Sequence, residues 1–201
     1  PFTRGRIFNR VETDQGQYDD SVKIFWASGA GFLTRKSNFD KIEGFDEDLF
    51  AHMEEIDYHW KSYLSDSEVW VEPSAVLYHL GGATLSMQSA KKVYYNHRNS
   101  LVLLLSNYCM WRSLCYFTLR LPLEIISSLK ELVSLRPLHF LYHYLALLWI
   151  VFNFSIILKR RRKIKSIKTV NNQKLFDQKM ISSFSLLIKY YVFNKKTYNK
   201  L

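Results

Sequence analysis

The residues best suited to acid–base or metal chemistry are concentrated at positions 44–60, GFDEDLFAHMEEIDYHW, where Asp46, Glu47, Asp48, His52, Glu54, Glu55, Asp57 and His59 fall within one short stretch. A carboxylate withheld from full solvation can act as a general base, and imidazoles with carboxylates are common ligands of divalent metals. His52, Glu55 and His59 stand at i, i+3 and i+7 of a possible helix, and His79 could join them, so a protein-only metal site is one option. The metalloprotease arrangement is absent, because HExxH needs two histidines four apart with Glu after the first. Gly29-Ala30-Gly31 has neither the third glycine nor the following Lys of a phosphate loop, and no Ser or Cys has an identifiable base and oxyanion loop. What remains is a carboxylate base with a nearby histidine in a cleft. The same acidic cluster also has a purely structural use, since carboxylates stabilise the first turn of a helix.

These side chains must be positioned by their neighbours. Gly44 and Asp46 are turn residues, and Ile56, Trp60 and Leu64 recur at four-residue spacing, which predicts a turn leading into a helix that the acidic cluster opens. Residues 22–34, VKIFWASGAGFLT, form an apolar run interrupted by Ala27, Ser28, Gly29, Ala30 and Gly31. A strand that loses its side chains does so where a ligand or another chain segment approaches the backbone. Residues 35–42 read as a short helix. Residues 1–21 read as a polar loop in which Arg4, Arg6 and Arg10 could meet phosphate. Residues 68–72 alternate as a strand that Pro73 ends, and residues 75–80 form a second strand running into Gly81-Gly82, which puts His79 at a strand end. From Ser89 the pattern is helical.

Composition divides the chain. Residues 1–100 carry 11 Lys/Arg against 15 Asp/Glu, a net of −4, whereas residues 101–201 carry 17 against 3, a net of +14. With 48% hydrophobic and 16% aromatic residues the chain is not disordered, and the basic half points to an anionic surface, nucleic acid or membrane. Residues 138–158 lack any Lys, Arg, Asp or Glu and are followed at once by Lys159-Arg160-Arg161-Arg162-Lys163. That is the signature of a cytoplasmic-side membrane segment, either spanning or lying in the interface. Residues 165–201 read as a second surface-seeking segment, without a nucleic-acid-binding motif. Cys109 and Cys115 lie in apolar surroundings and read as reduced thiols.

Trp26-Ala27-Ser28-Gly29-Ala30 with Phe32 and Arg35, then Gly44-Phe45-Asp46-Glu47-Asp48-Leu49-Phe50, Glu54-Glu55-Ile56-Asp57, Pro73, Tyr78-His79 and Gly81-Gly82 together resemble the C-terminal half of family 2 glycosyltransferases. More narrowly they are similar to the bacterial rhamnosyltransferase-like members that build surface polysaccharides. The resemblance implies an α/β fold, the acceptor part of a GT-A domain over residues 1–105, followed over 106–201 by an apolar, basic, helical membrane-associating region. It implies an inverting transfer of sugar from a nucleotide-sugar donor to a saccharide or lipid-linked acceptor at the cytoplasmic face of the bacterial inner membrane, with no role for nucleic acid. Glu55, the second residue of an ED-type pair where the family commonly has Asp, would be the general base. Glu54 and Asp57 would orient it or the acceptor. Trp26, Ser28 and Gly29 would line the acceptor pocket, and His52 and Arg98 would contact acceptor or lipid diphosphate. His79 matches a histidine that completes a Mg or Mn site on the leaving diphosphate.

No DxD motif, nucleotide-binding βαβ unit or initiator Met precedes Pro1, so the expectation is a fragment of such an enzyme, inactive alone. The alternative is a non-catalytic membrane-surface interaction module that keeps the acidic helix as structure.

Overall fold

The computed structural model describes residues 2–3, 6–7, 10–79, 89–178, 180–181 and 185–198. Helices dominate. Among the described residues the strands are two residues long: β1 (Phe2–Thr3), β2 (Arg6–Ile7) and β3 (Arg10–Val11) form an antiparallel meander, and β4 (Val22–Lys23) pairs antiparallel with β5 (Trp70–Val71). The α/β expectation is therefore met only coarsely. The predicted strand at 22–34 shortens to β4, residues 75–79 are not a strand, and residues 2–3, 6–7 and 10–11, expected as loop, form the meander. The small residues explain the first difference. A run of Ala, Ser and Gly has little to pack on a pleated surface, and at Gly31 an added Cβ would lie 2.7 Å from Leu77 Cδ1, so another chain segment fills the space a side chain would need.

The predicted helices are present: α1 (Lys36–Lys41), α2 (Glu54–Leu64) and α3 (Ala90–Asn107), followed by α4 (Met110–Val133), α5 (Pro137–Phe152), α6 (Phe154–Ile167), α7 (Gln173–Asp177) and α8 (Ser185–Tyr191). Between α1 and α2, Gly44 has φ +59°, and a Cβ there would meet Phe39 Cζ at 2.6 Å, so this turn requires glycine. α3 lies at the centre. Its Leu101, Val102, Leu103 and Leu105 pack with Leu49, Ile150 of α5 and Ile157 of α6. A second core joins Trp60, Tyr63 and Leu64 of α2 to Ile164 and Leu175. Trp60 Nε1 donates to Asn172 Oδ1 over 2.9 Å, and Asn172 Nδ2 donates to Asn107 O over 2.6 Å, so the connection from α6 to α7 is fastened to α2 and α3.

The basic run after α5 faces partly inward. Arg160 is buried against Asp46 and Asp57, Arg161 donates to Leu105 O, and Lys163 pairs with Glu43 at 2.8 Å, leaving Lys159 and Arg162 outward. Among the described residues no single helix is long and apolar enough to cross a membrane. The residues singled out at 138–158 fall on α5 and α6, which pass such a test only as a pair bent by 68°.

α4 is inverted relative to a helix of a water-soluble core. Its buried residues are Ser113, Glu124 and Ser128, while Trp111, Leu114, Ile125, Leu129, Leu132 and Val133 are exposed. α5 repeats the pattern, burying His143, Ala146 and Ile150 and exposing Leu138, Leu141, Leu145, Leu148, Val151 and Phe152. An apolar surface of this extent is unusual for a monomer in water.

Candidate active site

The acidic stretch folds as a turn, a strained loop and a helix start. Asp46 Oδ1 accepts from Asp48 N over 3.0 Å and caps a single 3-10 turn, Glu47–Leu49. The chain then carries three non-glycine residues at positive φ, Phe50 (51°), His52 (67°) and Met53 (71°), before α2 begins. Left-handed backbone costs an L-residue about 1–2 kcal/mol and persists only where the surroundings over-determine it. Here α3 supplies that restraint. Asn99 Nδ2 donates to Leu49 O (2.7 Å), Ala51 O (2.8 Å) and His52 O (2.7 Å), and Arg98 donates to Asp48 O (2.6 Å) and Leu49 O (3.3 Å). Arg98 is itself buried among Tyr94, Tyr95 and Trp149. The structure thus places this arginine as an anchor for the loop.

The loop delivers Glu54 and Glu55 to the first turn of α2, beside the small residues of the 27–31 segment. A Cβ built at Gly29 would lie 3.8 Å from Glu55 Cβ and 3.9 Å from Glu54 Oε1. Glu54 Oε2, Glu55 Oε2 and His52 Nε2 are buried and have no hydrogen-bond partner. Burial, and then the neighbouring charge of Glu54, push the Glu55 carboxyl up to about 7, against a smaller opposing effect of its own backbone N–H. Burial, with the Lys92 charge second, holds the His52 imidazole below its ordinary value. A carboxylate in this state suits proton abstraction near neutral pH.

Asp57, one turn on, has a different environment. It is fully buried, with Arg160 Nη2 at 2.8 Å and Asn107 Nδ2 at 3.2 Å from Oδ1, and Lys61 Nζ at 3.2 Å from Oδ2. Arg160 also reaches Asp46, and Lys61 Nζ donates to Gly44 O over 2.8 Å, so Asp57 locks α2 to α6 and to the preceding turn. Trp26 and exposed Ser28 line a cleft of about 590 Å³ together with Glu12, Asp14 and Asp19. His79 is exposed, and Arg4, Gly81 and Gly82 lie outside the described residues.

The metal option at His52, Glu55 and His59 is not assembled. His59 Nδ1 is hydrogen-bonded to Glu55 O over 2.7 Å, and among the described residues the three-donor group is instead His97, Glu124 and His143, a cluster that could hold a divalent metal. Sequence spacing could not have found it, because the three donors come from α3, α4 and α5.

Two curated relatives, both N-acetylglucosaminyl-diphospho-decaprenol L-rhamnosyltransferases of Mycobacterium tuberculosis, from strains CDC 1551 / Oshkosh and ATCC 25618 / H37Rv, are 32% identical to this chain over 118 residues. The match covers 56% of this chain and 37% of theirs, so the chain spans little more than a third of the length of these relatives. The resemblance to rhamnosyltransferase-like glycosyltransferases stands on a relative, therefore, as well as on motifs. No family model matches the chain, and no solved structure does.

Proposed function

We propose that this chain is the acceptor-handling part of an inverting glycosyltransferase and that Glu55 is its general base. The carrying observation is the Glu55 carboxyl, whose Oε2 is buried without a hydrogen-bond partner and whose pKa is raised to about 7, on a side chain whose Cβ sits beside Gly29. Glu55 would take the proton from an acceptor hydroxyl as that oxygen attacks the anomeric carbon of the donor sugar and the nucleoside diphosphate leaves from the opposite face. A carboxylate with a pKa near the operating pH is ionised often enough to accept the proton and basic enough to hold it. Burial first, and the Glu54 charge second, keep the Glu55 pKa high, and Asn99 and Arg98 fix the loop that aims both. By analogy with the relatives, the sugar transferred is L-rhamnose from a nucleotide-activated donor, and the acceptor is an N-acetylglucosamine carried on a polyprenyl diphosphate.

A lipid-linked acceptor calls for a membrane-facing surface, at the cytoplasmic face of the bacterial inner membrane, where nucleotide sugars are made. The inverted α4–α5 hairpin supports this reading, with Lys159, Arg162, Lys165 and Lys168 beyond it to meet anionic headgroups. A divalent ion of the family type would neutralise charge on the leaving diphosphate. His79 is one exposed imidazole, and among the described residues no group of three donor side chains includes it, so His79 alone does not make such a site. The proton transfer at Glu55 needs only the carboxylate and the acceptor hydroxyl.

The test is rhamnosyl transfer to a polyprenyl-diphospho-N-acetylglucosamine by membranes of the producing cell, with Glu55→Gln introduced into the gene. Transfer should fall by about 10²–10⁴-fold with protein level unchanged. Full activity of the Gln variant would end the proposal and favour the interaction-module reading.

A further inference from the structure

The inverted hairpin buries a cluster that the proposed transfer does not use. His97 of α3, Glu124 of α4 and His143 of α5 each offer one ligand atom, and these atoms lie within 4.8 Å of one another. Both imidazoles aim Nδ1 at the same carboxylate oxygen, Glu124 Oε2, at 2.6 Å from His97 and 3.2 Å from His143, and their ring centroids are 3.8 Å apart. The second oxygen, Oε1, is taken by Arg120 Nε, which fixes the carboxylate orientation from behind. Glu124 and His143 are 2% exposed, and the His97 side chain is 20% exposed.

We propose that His97, Glu124 and His143 form a divalent transition-metal site that staples α3, α4 and α5 together. Three observations converge. The donors are two imidazole nitrogens and one carboxylate oxygen, a set that suits Zn²⁺, Co²⁺ or Fe²⁺ and is a poor match for Mg²⁺ or Ca²⁺, which prefer oxygen ligands. In a tetrahedral site with bonds of about 2.0–2.1 Å, neighbouring donor atoms stand about 3.3 Å apart. The His143 separation already has that value, and the His97 separation reaches it by opening less than about 1 Å. The Arg120 contact on the non-ligating oxygen is the outer-sphere support that orients carboxylate ligands in metal sites. Each ring would coordinate through Nδ1 with its proton on Nε2, and the fourth position would be filled by water from the more open His97 side.

The consequence reaches the candidate active site through the chain itself. Arg98 and Asn99, the residues next to His97, hold the loop from Asp48 to His52 that launches Glu54 and Glu55. A metal on His97 would fix the register of α3 at that point, so its role here is positional. This inference does not depend on Glu55 being a catalytic base.

The experiment uses the untagged chain in mild detergent, carrying His79→Ala so that the exposed imidazole cannot contribute. The chain is stripped with chelator, titrated with Zn²⁺ or Co²⁺ alone, and analysed for bound metal, thermal midpoint and X-ray absorption. The expected result is one equivalent of metal bound, a rise in thermal midpoint on Zn²⁺ addition, and a first shell of two imidazoles with light-atom neighbours at about 2.0–2.1 Å. His143→Ala and Glu124→Gln should each weaken binding at least tenfold. If a variant does not fold, the absorption spectrum of the chain with the triad intact still decides. Absence of stoichiometric binding, a shell without two imidazoles, or affinity unchanged in a folded His143→Ala chain would overturn the site and leave a hydrogen-bonded His–Glu–His network. Activity loss in Glu55→Gln is read separately and bears only on the transferase reading.

Discussion

The first turn of α2 and the interior of the helical bundle treat buried carboxylates in opposite ways. Asp57 has Arg160 and Lys61 within 3.2 Å, and Glu124 has Arg120 and two histidines. Glu54 and Glu55 each bury an oxygen with no partner, and Glu54's charge adds to the pressure on Glu55. A buried, compensated carboxylate is a fastening, whereas a buried, uncompensated one stores free energy that a substrate proton can release. The comparison teaches which of the neighbouring acids in the 44–60 stretch can do chemistry. It also explains how two residues three apart on one helix, Glu54 and Asp57, come to have unlike surroundings.

Breaking the fastening should have the largest effect. Arg160→Ala leaves Asp57 buried with Lys61 and Asn107 only and strips Asp46 of its ion pair, and should cost about 3–5 kcal/mol in urea denaturation. If Asp57 instead serves the acceptor, Asp57→Asn would reduce transfer while leaving stability intact, and the contrast between the two acids would collapse. Asn99→Ala comes next. It removes three hydrogen bonds from a loop with three strained residues, and should cost about 1–3 kcal/mol together with a fall in kcat, because the loop aims Glu55. Hydrogen exchange at residues 49–53 would show whether the destabilisation is local.

Glu55→Gln sharpens the comparison through its sign. With a folded pKa of about 7 against an ordinary 4.5, Glu55 holds its proton in the folded state over a pH range where the unfolded chain has lost it. Folding takes up a proton in that window, so stability is fullest below about 4.5, falls as pH rises to about 7 and is flat beyond. Glu55→Gln should therefore stabilise the chain by about 1–3 kcal/mol at pH 8 and have little effect at pH 4, measured by paired urea curves. Glu54→Gln is the smallest change. It removes one neighbouring charge and should shift the Glu55 titration downward while leaving it above the ordinary value, since burial is the larger cause.

Much of the frame around the site was legible in the sequence. Four-residue apolar spacing at Ile56, Trp60 and Leu64 and the turn residues Gly44 and Asp46 marked α2, and the small residues at 27–31 marked a close approach that proves to be Leu77 at Gly31 and, at Gly29, Glu55 Cβ with Glu54 Oε1. What was not legible depends on partners distant in the chain. Arg160 lies 103 residues from Asp57, and a basic run after an apolar segment reads as surface until the packing of α6 on α2 turns Arg160 inward. Arg98 looked like a ligand contact because an arginine in a helix gives no sign of which carbonyls it will meet. The inverted faces of α4 were hidden too, because Arg112, Arg120 and Glu124 broke the apolar run that a membrane segment is expected to show.

The most direct test is the titration of Glu55 itself, followed by carbon-13 NMR of carboxyl-labelled chain in mild detergent, with Glu55→Gln to assign the signal. A midpoint near 7 that moves down in Glu54→Gln is the predicted result. A midpoint near 4.5, insensitive to Glu54, would mean that the pair is solvated like any surface acid, and the first turn of α2 would lose its claim to the chemistry.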